Sequence, residues 1–239
     1  EQYGDPVLMH ALNGQVVVTG NPEFVHSIFS HDAFDFDVFA YKTILPLLGE
    51  GSLLLLAGEE HRRERKLLMP MFHGERMRAY GDIIQQTALK TLERHAPRGP
   101  FQMLDASTDI SLEVIVRAIF GGEKSEDVQR LIEKSKEVVK NSSPLLFFSK
   151  AMQFRFLGLS PWDRFERSRV RLREAFEAEL DRRNAMPTQR EDILTMLMEA
   201  EYEDGSKIET QRAFDELSTF LFAGHETTAV ALSWAVYHL

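Results

Sequence analysis

Apolar residues recur at steps of three and four along most of the chain, the spacing of one helix face. The pattern predicts helices at residues 59–70, 75–95, 104–120, 126–140, 161–184, 192–202 and from 210 to the end. Asn21 and Pro22 begin an earlier helix, because asparagine caps helices and proline suits the first helical position. The pattern therefore predicts a mainly α protein with one domain over residues 1–239.

One short stretch near the start has the pattern of a β-hairpin. Asn13 and Gly14 precede the β-branched run at residues 15–19. An Asn-Gly pair beside such a run is the signal for a tight turn between strands. We therefore expect a small β-sheet at the beginning of the chain.

The final helix is predicted to run about 30 residues, or roughly 45 Å. Phe214, Leu217 and Leu221 lie on one face of it, and Phe222 and Trp234 lie on others. A helix that is apolar nearly all round is expected to be buried. No stop signal precedes Leu239, so we expect a chain that is incomplete at its carboxyl end.

Composition narrows the class of protein. The chain has 28 Lys and Arg against 37 Asp and Glu, a net charge of −9, which disfavours binding to nucleic acid or anionic membranes. No run approaches the roughly 18 apolar residues of a transmembrane helix. Cysteine is absent, which excludes disulfides, thiol nucleophiles and thiolate metal sites in this chain. We expect a soluble, cytoplasmic monomer.

The first candidate site lies within the final helix, at residues 223–228. Ala223 and Gly224 allow a large or flat group to approach the backbone closely. Glu226 and Thr227 follow, and a purely structural buried helix has little reason to carry a carboxylate and a hydroxyl. The alternative is that Gly224 permits a tight helix crossing and Glu226 faces solvent.

The second candidate site lies in the charged run at residues 58–66. His61 and Arg65 are four residues apart and therefore share one helix face. Such a pair suits an anionic group at the edge of a buried cofactor, because arginine offers a fork of donors to carboxylates. The alternative is an ordinary solvated, charged helix.

These two clusters, in this order, resemble the cytochrome P-450 family of haem-thiolate monooxygenases, in particular its bacterial members. Residues 223–228 are similar to the oxygen-activating stretch of the family's long central helix. His61 and Arg65 resemble its Trp/His-x-x-x-Arg signature, which binds a haem propionate. Residues 53–58 and 70–77 also look like that neighbourhood.

The resemblance implies the cytochrome P-450 fold, an orthogonal helix bundle with a small β-sheet, and heme b as cofactor. His61, Arg65, Ala223 and Gly224 would contact the cofactor, and Glu226 and Thr227 would be catalytic. The implied reaction inserts one oxygen atom from O₂ into a C–H bond of an apolar small molecule, and the bacterial members that this chain resembles suggest a fatty acid-like one. Electrons would come from NAD(P)H through a ferredoxin or flavoprotein reductase.

Two further expectations follow from the resemblance. The aromatic-rich stretch at residues 145–157 would cover the substrate pocket, although ordinary core packing explains it as well. Arg62, Arg63 and Lys66 would lie further round their helix, free to meet an acidic redox partner.

The departures from the family pattern limit what this chain can do by itself. The family's Glu-x-x-Arg helix and its Phe-x-x-Gly-x-x-x-Cys loop are missing, so the chain supplies no cysteine for the iron. We therefore interpret it as a fragment. The alternatives are a helical small-molecule-binding protein without a redox role and a degenerate, non-catalytic family member.

Overall fold

The computed structural model describes residues 4–11, 14–38, 41–72, 75–121, 126–148, 152–186, 190 and 192–239. Two strands and ten α-helices lie within these ranges: β1 Val7–Ala11, β2 Gly14–Val18, α1 Pro22–Ser30, α2 Tyr41–Leu48, α3 Gly58–Leu68, α4 Glu75–His95, α5 Met103–Phe120, α6 Glu126–Asn141, α7 Pro144–Phe148, α8 Pro161–Ala185, α9 Ile193–Glu199 and α10 Thr210–Tyr237. Each segment predicted to be helical is confirmed, with ends shifted by a few residues. The helices α2 and α7 are additional.

The predicted small sheet is confirmed as a two-stranded antiparallel hairpin. Its register runs from Val7 opposite Val18 to Ala11 opposite Gly14. Asn13, on which the predicted turn depends, lies outside the described residues. The predicted start of α1 is also confirmed, because the Asn21 side chain accepts the backbone N–H of Glu23 at 2.8 Å.

The core forms around α5, which packs against α4, α6, α9 and α10. Buried residues occur on several faces of α5, including Ala106, Ile110, Val116 and Ile119. On the far side of α6 lies α8, whose Phe165 and Phe176 are fully buried. Burying such side chains contributes about 2 kcal/mol each relative to leaving them in water.

The helix α10 changes character along its 28 residues. Phe214, Leu217 and Leu221 are buried, whereas Trp234 is 59% and Tyr237 is 77% exposed. The prediction of burial all round is therefore wrong for the second half, because no described segment covers that face. Across the described residues, no helix combines the length and apolarity needed to cross a lipid bilayer.

A glycine junction ties α2 to α10. Gly49 follows α2 with a φ of 89°, a backbone conformation that favours glycine. A side chain at this position would also collide with the Asp215 carboxylate of α10. That carboxylate accepts the Gly51 N–H at 3.0 Å, and Thr219 donates to the hydroxyl of Ser52 at 2.6 Å. The segment that enters α3 is thereby fixed on α10.

Candidate active site

Residues 223–228 lie in the middle of α10, where three faces of the helix have different surroundings. Ala223 and Thr227 are four residues apart on an exposed face. The Thr227 hydroxyl donates to the Ala223 carbonyl at 2.6 Å. Glu226 is exposed as well. The expected burial of Glu226 and Thr227 is therefore wrong in this structure, since no described segment covers the face of Thr227 and Glu226 borders an open cavity.

Gly224 packs against α5. A methyl group at this position would lie 3.1 Å from two carbons of the Ile115 side chain, closer than side-chain packing normally allows. The next residue, His225, is buried and its Nδ1 donates to the Leu221 carbonyl at 3.1 Å. Close helix packing, which was the structural alternative, thus accounts for Gly224 without a cofactor.

Glu226 lies on the third face, at the edge of a cavity of about 380 Å³. We call this cavity the α10 pocket. Its walls come from α2, α5, α6, α7 and α10, and its lining residues are Thr43, Ile44, Leu47, Leu104, Thr108, Val139, Ser142, Phe147, Phe222, His225, Glu226, Ala229 and Val230. The volume falls within the range of small-molecule sites, roughly 300–1,000 Å³.

The stretch at residues 145–157 divides between this pocket and the rest of the structure. Phe147 lines the α10 pocket and contacts the ring of Phe165 edge-on, with centroids 5.1 Å apart. Leu146 is buried in the core, and Phe156 and Leu157 are exposed. Core packing therefore accounts for Leu146, whereas cover of a substrate pocket by this stretch stays a prediction, and residues 149–151 lie outside the described residues.

On α3, most charged side chains of the run already have partners. Arg62 donates to Glu59 at 2.9 Å, Arg63 donates to Asp204 at 2.8 Å, and Lys66 pairs with Glu203. Arg63 also lies over the Tyr202 ring, 4.1 Å from its centroid. The expectation that Arg62, Arg63 and Lys66 are free for a redox partner is therefore wrong, because each has an acidic partner in the chain.

His61 and Arg65 differ from these neighbours. Within the described part of the chain, neither side chain makes a hydrogen bond or an ion pair. Arg65 is exposed and His61 is partly exposed, and their spacing places both on one face of α3. Two donors of the type that bind carboxylates are thus available on one face of α3, and their binding to a cofactor stays a prediction.

The site also contains two buried carboxyl groups that sequence reasoning missed, Glu64 on α3 and Glu216 on α10. Glu64 is fully buried and accepts hydrogen bonds from Tyr202 and Arg212, both at 2.9 Å. Burial, and then the hydrogen bond to Glu64, raise the pKa of Tyr202 to about 12. The sequence carried one signal that Glu64 is buried. It lies three and four residues before Leu67 and Leu68, which are buried, and this spacing places it on their side of α3.

Glu216 is fully buried too, but its carboxyl oxygens have no hydrogen-bond partner among the described residues. Burial is the main cause that raises its pKa from 4.5 to about 8, and the nearby charge of Glu64 adds to the effect. The backbone of Leu53 partly opposes the shift. This carboxyl is therefore mostly protonated at neutral pH.

The two candidate clusters are linked through aromatic contacts. Phe72, just after α3, meets the ring of Phe220 edge-on at 5.1 Å. Phe220 is three residues before Ala223 on α10, and three residues is nearly one turn. Phe72 is 40% exposed, so the end of α3 and the α10 motif border the same open surface.

The residues of the two clusters are chemically suited to a haem group. Haem carries two propionate carboxylates, for which His61 and Arg65 offer unengaged donors. The side chains of Ala223 and Thr227 on the exposed face of α10 are small, so a flat ring can approach this face closely. The iron-binding cysteine is not among the residues of this chain.

Comparison with known proteins identifies the family. The profile of the cytochrome P-450 family matches residues 1–239. A protein of Mycobacterium bovis named cytochrome P-450 138 is 33% identical over 230 residues, which are 95% of this chain and 51% of that protein. Cytochrome P-450 135A1 of Mycobacterium tuberculosis is 29% identical, over 94% of this chain and 50% of that protein.

A solved structure of retinoic acid-bound cyanobacterial CYP120A1 has the same fold. Its TM-score is 0.79 at 21% identity, covering 97% of this chain and 51% of that chain. The chain thus spans about half the length of the relatives it matches. With the family profile matched along its whole length, the chain belongs to the cytochrome P-450 family.

Proposed function

We propose that this chain supplies the oxygen-side half of a haem monooxygenase, which inserts one atom of O₂ into a C–H bond of an apolar small molecule. The observation that carries the proposal is the contrast along α3. Arg62, Arg63, Glu64 and Lys66 are engaged within the chain, whereas His61 and Arg65 make no hydrogen bond or ion pair with the described residues. A solvated structural helix gives no reason for that selection.

His61 and Arg65 would hold the propionates of heme b, since charged hydrogen bonds to carboxylates are short and strong. The bound haem would supply the chemistry of oxygen activation. Ala223 would leave space above the ring plane. We propose that electrons arrive from NAD(P)H through a ferredoxin or flavoprotein reductase, and that the protein is a cytoplasmic monomer.

Thr227 and Glu226 would move protons beside the bound oxygen. The Thr227 hydroxyl donates to the Ala223 carbonyl oxygen at 2.6 Å in this structure. A hydroxyl can rotate away from such a bond and donate to another acceptor. Glu226 is the next residue and is open to solvent. Thr227 Oγ1 would hold and pass on a proton at this face of α10, and the Glu226 carboxyl would replace that proton from solvent.

The proposed function is tested with the full-length gene product that contains this chain. We expect it to bind haem and to give the carbon-monoxide difference spectrum of a thiolate-ligated iron. A protein that binds apolar molecules in the α10 pocket but shows no haem spectrum would instead be a helical binding protein or a non-catalytic family member.

Replacing Thr227 by alanine in that full-length protein is expected to lower product formation by about 10- to 100-fold, while NAD(P)H consumption continues and peroxide is released. The reason is the loss of the proton-donating hydroxyl, since positioned proton transfer contributes about 10²–10⁴-fold. Haem content and substrate affinity should be unchanged. Thr228→Ala removes a neighbouring exposed hydroxyl and serves as the control. Full coupling in Thr227→Ala would reject the relay.

A further inference from the structure

We infer that the α10 pocket binds an elongated apolar molecule that carries an ammonium group, which lies between Glu226 and Phe222. That this molecule is the substrate rests on the proposed function, whereas its binding in the pocket does not. The ligand class follows from the hydrogen bonds, the charge and the walls of the pocket.

Three polar groups of the lining donate to backbone carbonyls of their own helices, and the Thr43 hydroxyl has no hydrogen-bond partner among the described residues. Thr108 donates to the Leu104 carbonyl at 2.8 Å, and Ser142 donates to the Val139 carbonyl at 2.8 Å. The His225 Nδ1–H donates to the Leu221 carbonyl, so a neutral ring leaves Nε2 as an acceptor. Thr108, Ser142 and His225 thus present lone pairs to a ligand, and Thr43 can either donate or accept, so a ligand that brings donors matches most of these groups.

The charge of the pocket points to the same ligand. Among the lining residues that the structure describes, Glu226 is the charged one, and no described residue forms an ion pair with it. Phe222 and Val230 lie four residues before and after Glu226 and line the same pocket. An ammonium group beside Glu226 and Phe222 gains attraction from both the carboxylate and the aromatic face.

The remaining walls suit the apolar part of such a molecule. Ile44, Leu47, Val139 and Phe147 line the pocket from three different helices. A carboxylate in the same position would lie next to the like charge of Glu226 and would be repelled by it. The pocket therefore disfavours the head group of a fatty acid, the substrate type that the sequence resemblance suggested.

Isothermal titration calorimetry of the purified chain with dodecylammonium, dodecanol and dodecanoate at neutral pH tests the inference. We expect dodecylammonium to bind at least about tenfold more tightly than dodecanoate, which corresponds to about 1.4 kcal/mol, with dodecanol between them. Glu226→Gln should weaken dodecylammonium binding by about tenfold and leave dodecanol within about twofold, because it removes the charge and keeps the shape. Since Glu226 is exposed, this variant should fold normally.

Glu133→Gln is the matched control. It removes an exposed carboxylate on α6 that does not line the pocket, and it should leave all three affinities unchanged. If both variants lost the same dodecylammonium affinity, the amine would be responding only to the net charge of −9, and the inference would be overturned. Dodecanoate that binds as tightly as dodecylammonium would also overturn it. The haem spectrum of the full-length protein is a separate readout, so amine selectivity without haem would reject the monooxygenase and retain the pocket assignment.

Discussion

We expect the free energy of unfolding of the unsubstituted chain to fall as the pH rises from about 5 to 8. In the Glu216→Gln variant, most of this fall should be absent. Glu216 is fully buried without a hydrogen-bond partner among the described residues. Its pKa is about 8 in the folded chain and 4.5 as an ordinary side chain. Between these values the native state binds more protons than the unfolded state, so the free energy of unfolding falls with rising pH.

The size of the effect follows from the pKa shift. Each pH unit inside the window costs at most about 1.4 kcal/mol, which gives about 3–5 kcal/mol in total. Asp109 and Asp163, whose pKa values are lowered, act in the opposite direction. They stabilise the fold above about pH 4 and lose that effect below it. They therefore do not contribute to a slope above pH 5.

Urea denaturation at pH 5.5, 7 and 8.5 measures this slope directly. Glutamine has nearly the shape of protonated glutamate but does not ionise, so the variant should exceed the unsubstituted chain by about 1 kcal/mol at pH 5.5 and by about 3–5 kcal/mol at pH 8.5. Glu133→Gln, which removes an exposed carboxyl, should keep the slope of the unsubstituted chain. Parallel pH profiles for Glu216→Gln and the unsubstituted chain would contradict the assignment.

Replacing Arg212 by methionine is expected to lower the free energy of unfolding by about 3 kcal/mol at neutral pH. The reason is that Arg212 donates to Glu64 at 2.9 Å while Glu64 is fully buried. Without the guanidinium, Tyr202 is the one remaining described hydrogen-bond donor to that carboxylate. A buried charge that loses its partner costs more than the pair contributes.

A double-mutant cycle with Glu64→Gln separates this pair from general damage. Because the neutral amide needs no counter-charge, Arg212→Met in the Glu64→Gln background should cost less than about 1 kcal/mol. Additive losses in the double variant would show that Arg212 acts through its packing. Hydrogen exchange along α3 gives a second measurement, since Glu64 joins this helix to α10 and lies between His61 and Arg65.

Much of the fold could be predicted, because helix periodicity depends on neighbouring residues. The ends of α4 and α5 and the Asn21 cap of α1 follow from local signals. The short helix α2 could not be predicted from local signals, since it contains Pro46 and proline normally interrupts helices. Its position depends on distant contacts, such as the hydrogen bond from Arg169 to the Pro46 carbonyl.

The candidate site could be predicted in its positions but not in its partners. The spacing of His61 and Arg65 on one face is a local property, and the structure agrees with it. Arg62 pairs with the nearby Glu59, but the engagement of Arg63 and Lys66 depends on Asp204 and Glu203, which lie 141 and 137 residues away from them in the chain. No local pattern carries that information.

The glycine junction between α2 and α10 has a consequence for how this sequence can vary. Gly49 is constrained twice, by its left-handed backbone and by the Asp215 carboxylate that occupies the space of a side chain. Relieving one constraint leaves the other in force. Even a relative that carries a smaller residue at 215 would still need glycine, or in some cases asparagine, at 49. Substitution at 215 should therefore be tolerated earlier in divergence than substitution at 49.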